Sequence, residues 1–171
     1  MTAPEQLALM DHLARPAPGD GDLRPWAYRA YEVARQVSGE AFVRVVIGIA
    51  RASLGGQSAT AHVESAIACA EAWVACPCDA HSDAAWRARD EAFAAGRVED
   101  GGCEPMHKAA GCAAIAAYLV QRQASPVLEA DAVWFSLFAA TRIRSFEEVR
   151  AAVLNSIRAW LAETPGQPPE I

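Results

Sequence analysis

No run of uncharged apolar residues approaches the roughly 18 that a membrane-spanning helix requires. The longest apolar stretch near the start, Phe42 to Ala50, is broken by Arg44. The first twenty residues lack a basic segment followed by an apolar one, so no export signal is expected. Also missing are a glycine-rich phosphate loop, a nucleophile elbow, paired metal-binding histidines and any internal repeat. Nothing therefore selects a substrate or a reaction, and the expected protein is not an enzyme. An excess of positive charge is absent too. The formal net charge is −6, which repels phosphate backbones and makes nucleic acid an unexpected partner.

What the chain has in abundance is alanine, 39 of 171 residues, which combines high helix propensity with side chains small enough to let helices approach closely. A hydrophobic share of 53% against a charged share of 21% argues for a packed core over disorder. A chain of this length buries roughly two-thirds of its unfolded surface and needs no metal or disulfide to fold. The expectation is an all-α, alanine-rich bundle of seven to eight helices forming one domain over residues 1–171. Within it, 1–22 make a short helix and loop, and 163–171 a flexible tail. The five cysteines, Cys69, Cys76, Cys78, Cys103 and Cys112, are an odd number with no export signal, which points to reduced thiols, a cytoplasmic location and a water-soluble protein.

Punctuation along the chain sets the elements. A first helix is expected from about Glu5 to Ala14, followed by a proline- and glycine-rich loop at 15–22. Pro25 suits the first position of a second helix. Ser38 is placed to cap a third, whose buried face is Phe42, Val45, Val46, Ile49 and Leu54 and whose end falls at Gly55-Gly56. This third helix is expected to be central. Ser58 or Thr60 caps a fourth, stopped by Cys76-Pro77-Cys78. Asp79 is expected to cap a fifth to about Ala95, with few large apolar residues and so largely exposed. After the loop 96–104, Pro105 opens a sixth helix to about Gln123, and Ser125-Pro126 a seventh whose Trp134, Phe135 and Phe138 read as core. Ser145 and Glu148 form a capping box before the last helix, with Val149, Val153, Ile157 and Trp160 on its apolar stripe.

The sharpest chemical pattern is Cys76-Pro77-Cys78-Asp79-Ala80-His81, joined later by Cys103, His107 and Cys112. Thiolate and imidazole are the ligands of structural zinc. The two groups flank the fifth helix, roughly 22 Å apart at 1.5 Å per residue. A shared site would need the intervening loop to run back, extended, along the helix. The competing reading is that these cysteines are small buried hydrophobes. A third is that Cys76 or Cys78 is a reactive thiol with His81 or His107 as its base, for which no orienting third group is apparent. His62 reads as a boundary histidine. Arg142, Arg144, Arg150 and Arg158 form a basic cluster, open to an acidic partner or to salt bridges on the helix surface.

Two stretches carry a resemblance. Residues 66–75 (AIACAEAWVA), with 84–89 (AAWRAR) after them, and residues 106–118 (MHKAAGCAAIAAY) resemble helices of the alanine-rich helical immunity proteins of bacterial toxin systems. Only His107 and Gly111 match that family's pattern as individual residues. The resemblance implies an all-helical cytoplasmic bacterial protein that binds and neutralises a toxin, without catalysis or cofactor. Together these readings give a protein-binding module, immunity-like or an adaptor, that meets its partner on the fifth helix through Trp86 and Phe93, flanked by Arg87 and Arg89. The alternative is a small metal- or ligand-binding domain using the Cys/His groups.

Overall fold

The computed structural model describes residues 3–16 and 21–163, and these form eight α-helices. They are α1 (Ala3–Ala14), α2 (Arg24–Val37), α3 (Gly39–Leu54), α4 (Ala61–Ala75), α5 (Asp79–Ala95), α6 (Pro105–Gln121), α7 (Pro126–Ala140) and α8 (Phe146–Glu163). The single β-type pairing among the described residues is a bridge between Arg97 and Cys103. The chain is thus the all-α bundle that its alanine content implies. Of the tail expected at 163–171, Glu163 is the last residue of α8 and the rest lies outside the described residues, as does part of the loop at 15–22.

Local signals set most of the ends. Ser38 Oγ accepts from the Ala41 amide at 3.0 Å, and Thr60 Oγ1, the cap in place of Ser58, accepts from Val63. Such caps satisfy one of the four unpaired amides at a helix start. Gly55 closes α3 in the left-handed region at φ 53°, where only glycine pays no Cβ penalty. The Ser145–Glu148 box is reciprocal: the Ser145 amide donates to the Glu148 carboxylate at 2.9 Å, and the Glu148 amide to Ser145 Oγ at 3.3 Å. That arrangement holds the Glu148 carboxyl below its usual range. One expected cap fails. Asp79 is the first helical residue of α5 and Cys78 occupies the cap position without a side-chain bond, because the carboxylate of Asp79 is taken by Gln121 at 3.0 Å.

Two helices, not one, occupy the centre. The expected central helix, α3, packs against α2, α4, α6, α7 and α8, while α6 packs against α3, α4, α5 and α7. On α3 the fully buried residues include five large ones, Phe42, Val43, Val45, Val46 and Ile49, beside Ala41, Ala50 and Ser53; each large one is worth roughly 1.5–3 kcal/mol of transfer free energy. On α6 the fully buried residues are small: Ala109, Ala110, Ala113, Ala114, Ala116 and Ala117. Small residues bring neighbouring helices close. A Cβ placed on Gly111 would lie 2.5 Å from the Phe93 ring of α5. The fifth helix is accordingly not the largely exposed element its composition suggested: Ser82, Ala85, Ala88 and Ala92 are buried against α4 and α6. Alanine makes a packing face without looking like one.

α7 is the other correction. Its buried face is Glu129, Ala130, Val133, Ser136, Leu137 and Ala140, whereas Phe135 and Phe138 are 43% and 41% exposed and Leu128 is 53% exposed. Of the three rings expected in the core, Trp134 packs half-buried against it, whereas Phe135 and Phe138 lie at the surface. The inner face carries instead an ion pair, Arg35 Nε to the buried Glu129 carboxylate at 2.9 Å, which ties α2 to α7.

Candidate functional site

The outward displacement of the α7 rings creates the most distinctive surface of the molecule. α5 and α7 flank α6, and between them one face of α6 floors a cleft that no further helix fills among the described residues. Read at helical spacing, that face is Lys108, Cys112, Ile115, Leu119 and Arg122, with Tyr118 beside it. Trp86 and Phe93 of α5 form one wall, and Leu128, Ala132 and Phe135 of α7 the other. The resulting cleft has a volume of about 520 Å³, and Asp131 is the one charged residue that lines it. The Tyr28 hydroxyl donates to the Asp131 carboxylate at 2.6 Å, and the Tyr28 pKa is raised by that bond. The floor thiol of Cys112 is pushed up to about 12 by burial, which leaves it an apolar contact and not a nucleophile at neutral pH.

Cations line the rim and sit over the aromatic faces. Arg89 lies 3.6 Å from the centroid of Trp86, which itself stacks on Tyr118 at 4.3 Å. Lys108 Nζ, the amine of the only lysine in the sequence, lies 5.1 Å from Phe135 and 5.7 Å from Phe138, and Arg142 lies 5.7 Å from Phe138. Such contacts contribute about 0.5–1 kcal/mol each at exposed sites. Arg122, at the other end, is bound to Asp83 at 2.6 Å. Lys108 and Arg142 have no carboxylate within ion-pair distance among the described residues. They border a second hollow of about 370 Å³. Of its two acids, Asp100 accepts from the Gly102 amide at 2.9 Å and Glu104 lies 3.1 Å from His107 Nδ1.

Of the residues expected to meet a partner, Trp86 and Phe93 stand on this cleft, half-buried as parts of its wall, and Arg89 lies over both of their rings without lining it. Arg87 is exposed on the α4 side of the helix, where its charge acts on Cys69. The basic cluster of the last two helices is mostly absorbed: Arg144 bonds the Gly55 carbonyl and Arg150 bonds Glu147 and the Ala14 carbonyl. His62 is exposed on α4. The residues that sequence reasoning missed are Tyr118, Ile115, Leu119, Leu128 and Lys108. Part of the signal was present: on α6 alanine fills the opposite stripes, which leaves Ile115, Tyr118 and Leu119 on the remaining face.

The six candidate metal ligands separate. Cys76, Cys78 and His81 converge, their ligand atoms all within 4.8 Å of one another. The bridge to Arg97 keeps Cys103 beyond the far end of α5, about 25 Å away along a helix of this length. His107 is buried and bonded to Thr60 Oγ1 at 3.1 Å, and Cys112 lies in the cleft floor. A single site drawing on both groups is not what the fold builds.

No protein-family model, curated protein or solved structure matches the chain.

Proposed function

We propose that the chain is a non-catalytic protein-binding module, of the immunity or adaptor type suggested by residues 66–75 and 106–118, acting in a bacterial cytoplasm. Its binding surface is the α5–α6–α7 cleft, and its occupant is an amphipathic helix of the partner with acidic residues at one end. The observation that carries this reading is the uncovered face of α6, bordered by the exposed Leu128 and Phe135. An apolar trough between two parallel walls is the shape that takes the i, i+3, i+4, i+7 anchors of a helix. From Lys108 to Arg122 it runs about 20 Å, enough for four helical turns. The charge argument fixes the polarity: Lys108 and Arg142 at one end lack carboxylate partners, so acidic side chains on the guest complete them.

The test uses tagged full-length chain as bait in its native bacterium, with three forms compared: wild type, Leu128→Asp/Phe135→Asp and Lys108→Glu/Arg142→Glu. Both substituted pairs are at the surface, so circular dichroism is expected to be unchanged. One protein recovered near one to one by wild type, and lost from both variants, supports the reading. Equal recovery by all three forms removes the cleft from the interface. A small apolar molecule found in the wild-type chain by native mass spectrometry, with no protein recovered, replaces a protein partner by a ligand.

A further inference from the structure

The Cys76-Pro77-Cys78 corner sits at the opposite end of α5 from the loop that carries Cys103, outside the cleft, and nothing in the binding reading uses it. Pro77 fixes its own φ near −65° and confines Cys76 to extended backbone. Cys76 is observed at φ −148°, ψ 84° and Cys78 at φ −153°, ψ 164°. Two thiols are thereby held on a three-residue corner, and α5 begins at once, which brings His81 back over them one turn later. His81 Nδ1 lies 3.4 Å from Cys78 Sγ and 2.8 Å from the Cys76 carbonyl.

These separations are those of a metal polyhedron slightly opened. Zinc–sulfur bonds of about 2.3 Å and zinc–nitrogen bonds of about 2.0 Å in a tetrahedron place sulfur and nitrogen about 3.6 Å apart and two sulfurs about 3.8 Å apart. The Cys78–His81 distance is already at that value, and the widest separation in the trio, 4.8 Å at most, closes with a side-chain shift of about 1 Å.

The corner is also braced from outside. Trp73 Nε1 donates to Gln121 Oε1 at 3.0 Å, and Gln121 Nε2 donates to Asp79 Oδ1 at 3.0 Å. Arg122 reaches Asp83 at 2.6 Å and Asp79 at 3.8 Å. The ends of α4 and α6 thus grip the first turn of α5, and the nearest carboxylate is engaged with Gln121 and Arg122 instead of the thiols.

We propose that Cys76, Cys78 and His81 form a three-ligand zinc site whose fourth position faces solvent. As two S–Zn bonds form, both thiol protons pass to the buffer. His81 gives up its Nδ1–H bond to the Cys76 carbonyl; that proton is lost to solvent while Nε2 takes one up, so the neutral ring coordinates through the freed Nδ1 lone pair and carries its proton on Nε2. The complex is neutral, two thiolates against one divalent ion, and suits an exposed corner. A structural site would close with a fourth protein ligand, whereas this one takes water or an incoming donor group.

The experiment titrates the reduced full chain with cobalt(II) and then displaces it with zinc(II), under anaerobic conditions. One ion per chain is expected, with the sulfur-to-cobalt charge-transfer absorption of two thiolates. Cys76→Ser, Cys78→Ser and His81→Ala should each weaken binding by more than the roughly 10- to 100-fold that losing an outer-shell partner costs. Cys103→Ser is expected to leave the spectrum unchanged. Imidazole added to the cobalt form should shift its visible bands if the fourth position is open. Failure to retain a stoichiometric ion, or retention undiminished in the Cys76→Ser/Cys78→Ser variant, overturns the site. Visible bands that ignore imidazole overturn the open position. Circular dichroism on each variant separates lost ligation from lost fold.

Discussion

α3 and α6 lie side by side at the centre of the bundle and are built on opposite plans. On α3 the large branched and aromatic residues point inward and neighbours surround the helix, so nearly all of its bulk is spent on stability. On α6 the inward faces are alanine, the neighbours come close, and the larger groups Ile115, Tyr118 and Leu119 stand on the face between α5 and α7. α7 follows the α6 plan only on its outer side, with Leu128, Phe135 and Phe138 exposed, while its inner face mixes Ala130 and Ala140 with Val133, Leu137 and the buried Glu129. The lesson is that in an alanine-rich protein size does not mark the core. Small residues are sufficient wherever backbones approach, and a large apolar residue left outside is the one that needs explaining.

The contrast breaks most directly by truncating one residue on each plan. Ile49→Ala, in the fully buried face of α3, is expected to cost about 3–4 kcal/mol in urea unfolding, because it loses transfer free energy and leaves a cavity. Leu128→Ala, half-exposed on the cleft, is expected to cost less than about 1 kcal/mol. Equal losses would erase the distinction between the two plans.

A second change sharpens it on α7 alone. Arg35→Ala leaves the Glu129 carboxylate buried without its counter-charge, and a destabilisation of about 3 kcal/mol is expected, at the lower edge for a broken buried pair since Arg35 itself is partly exposed. Phe138→Ala, on the outer side of the same helix, should fall well below that in the same denaturation series.

The smallest effect is a pH dependence at the far side of the bundle, where α1 meets α2. His12 is buried beside Trp26, and burial lowers its pKa below the ordinary 6.5 although its bond to the Trp26 carbonyl at 3.0 Å opposes this. The unfolded chain therefore takes up a proton near pH 6.5 while the folded chain resists it until lower pH. Stability is complete above about pH 6.5 and declines as pH falls from there toward the lowered folded value. Melting temperatures at pH 7.5 and 5.5 should differ in the wild type, and the difference should shrink in His12→Gln. A melt that rises on acidification would show that the ring is charged in the fold.

Helix positions were largely legible in the sequence because they rest on local chemistry. Pro25, Pro105 and Pro126 open helices, Ser38, Thr60 and Ser125 cap them, Gly55 ends one, and the Ser145–Glu148 box opens the last. The candidate sites were legible in part. Trp86 and Phe93 were visible as outlying rings, and the Cys76–Cys78–His81 trio follows from spacing within one turn. The two positions that carry the family resemblance prove to be packing residues: Gly111 admits the Phe93 ring and His107 is buried against Thr60.

The sequence by itself determined the class and the segmentation, since helix propensity, capping and proline placement act over a few residues and need no partner. Only the tertiary structure decided which stripe of each helix faces inward. Alanine stripes on α5, α6 and α7 carry almost no hydrophobic contrast, so their burial depends on which backbones approach closely enough to exclude water. The same long-range pairing decided that Phe135 borders a cleft and Phe138 the hollow beside it, that Arg35 meets Glu129 from another helix, and that Cys103 and His107 lie away from Cys76, Cys78 and His81. Those outcomes are sums over residues far apart in the chain, and no local pattern contains them.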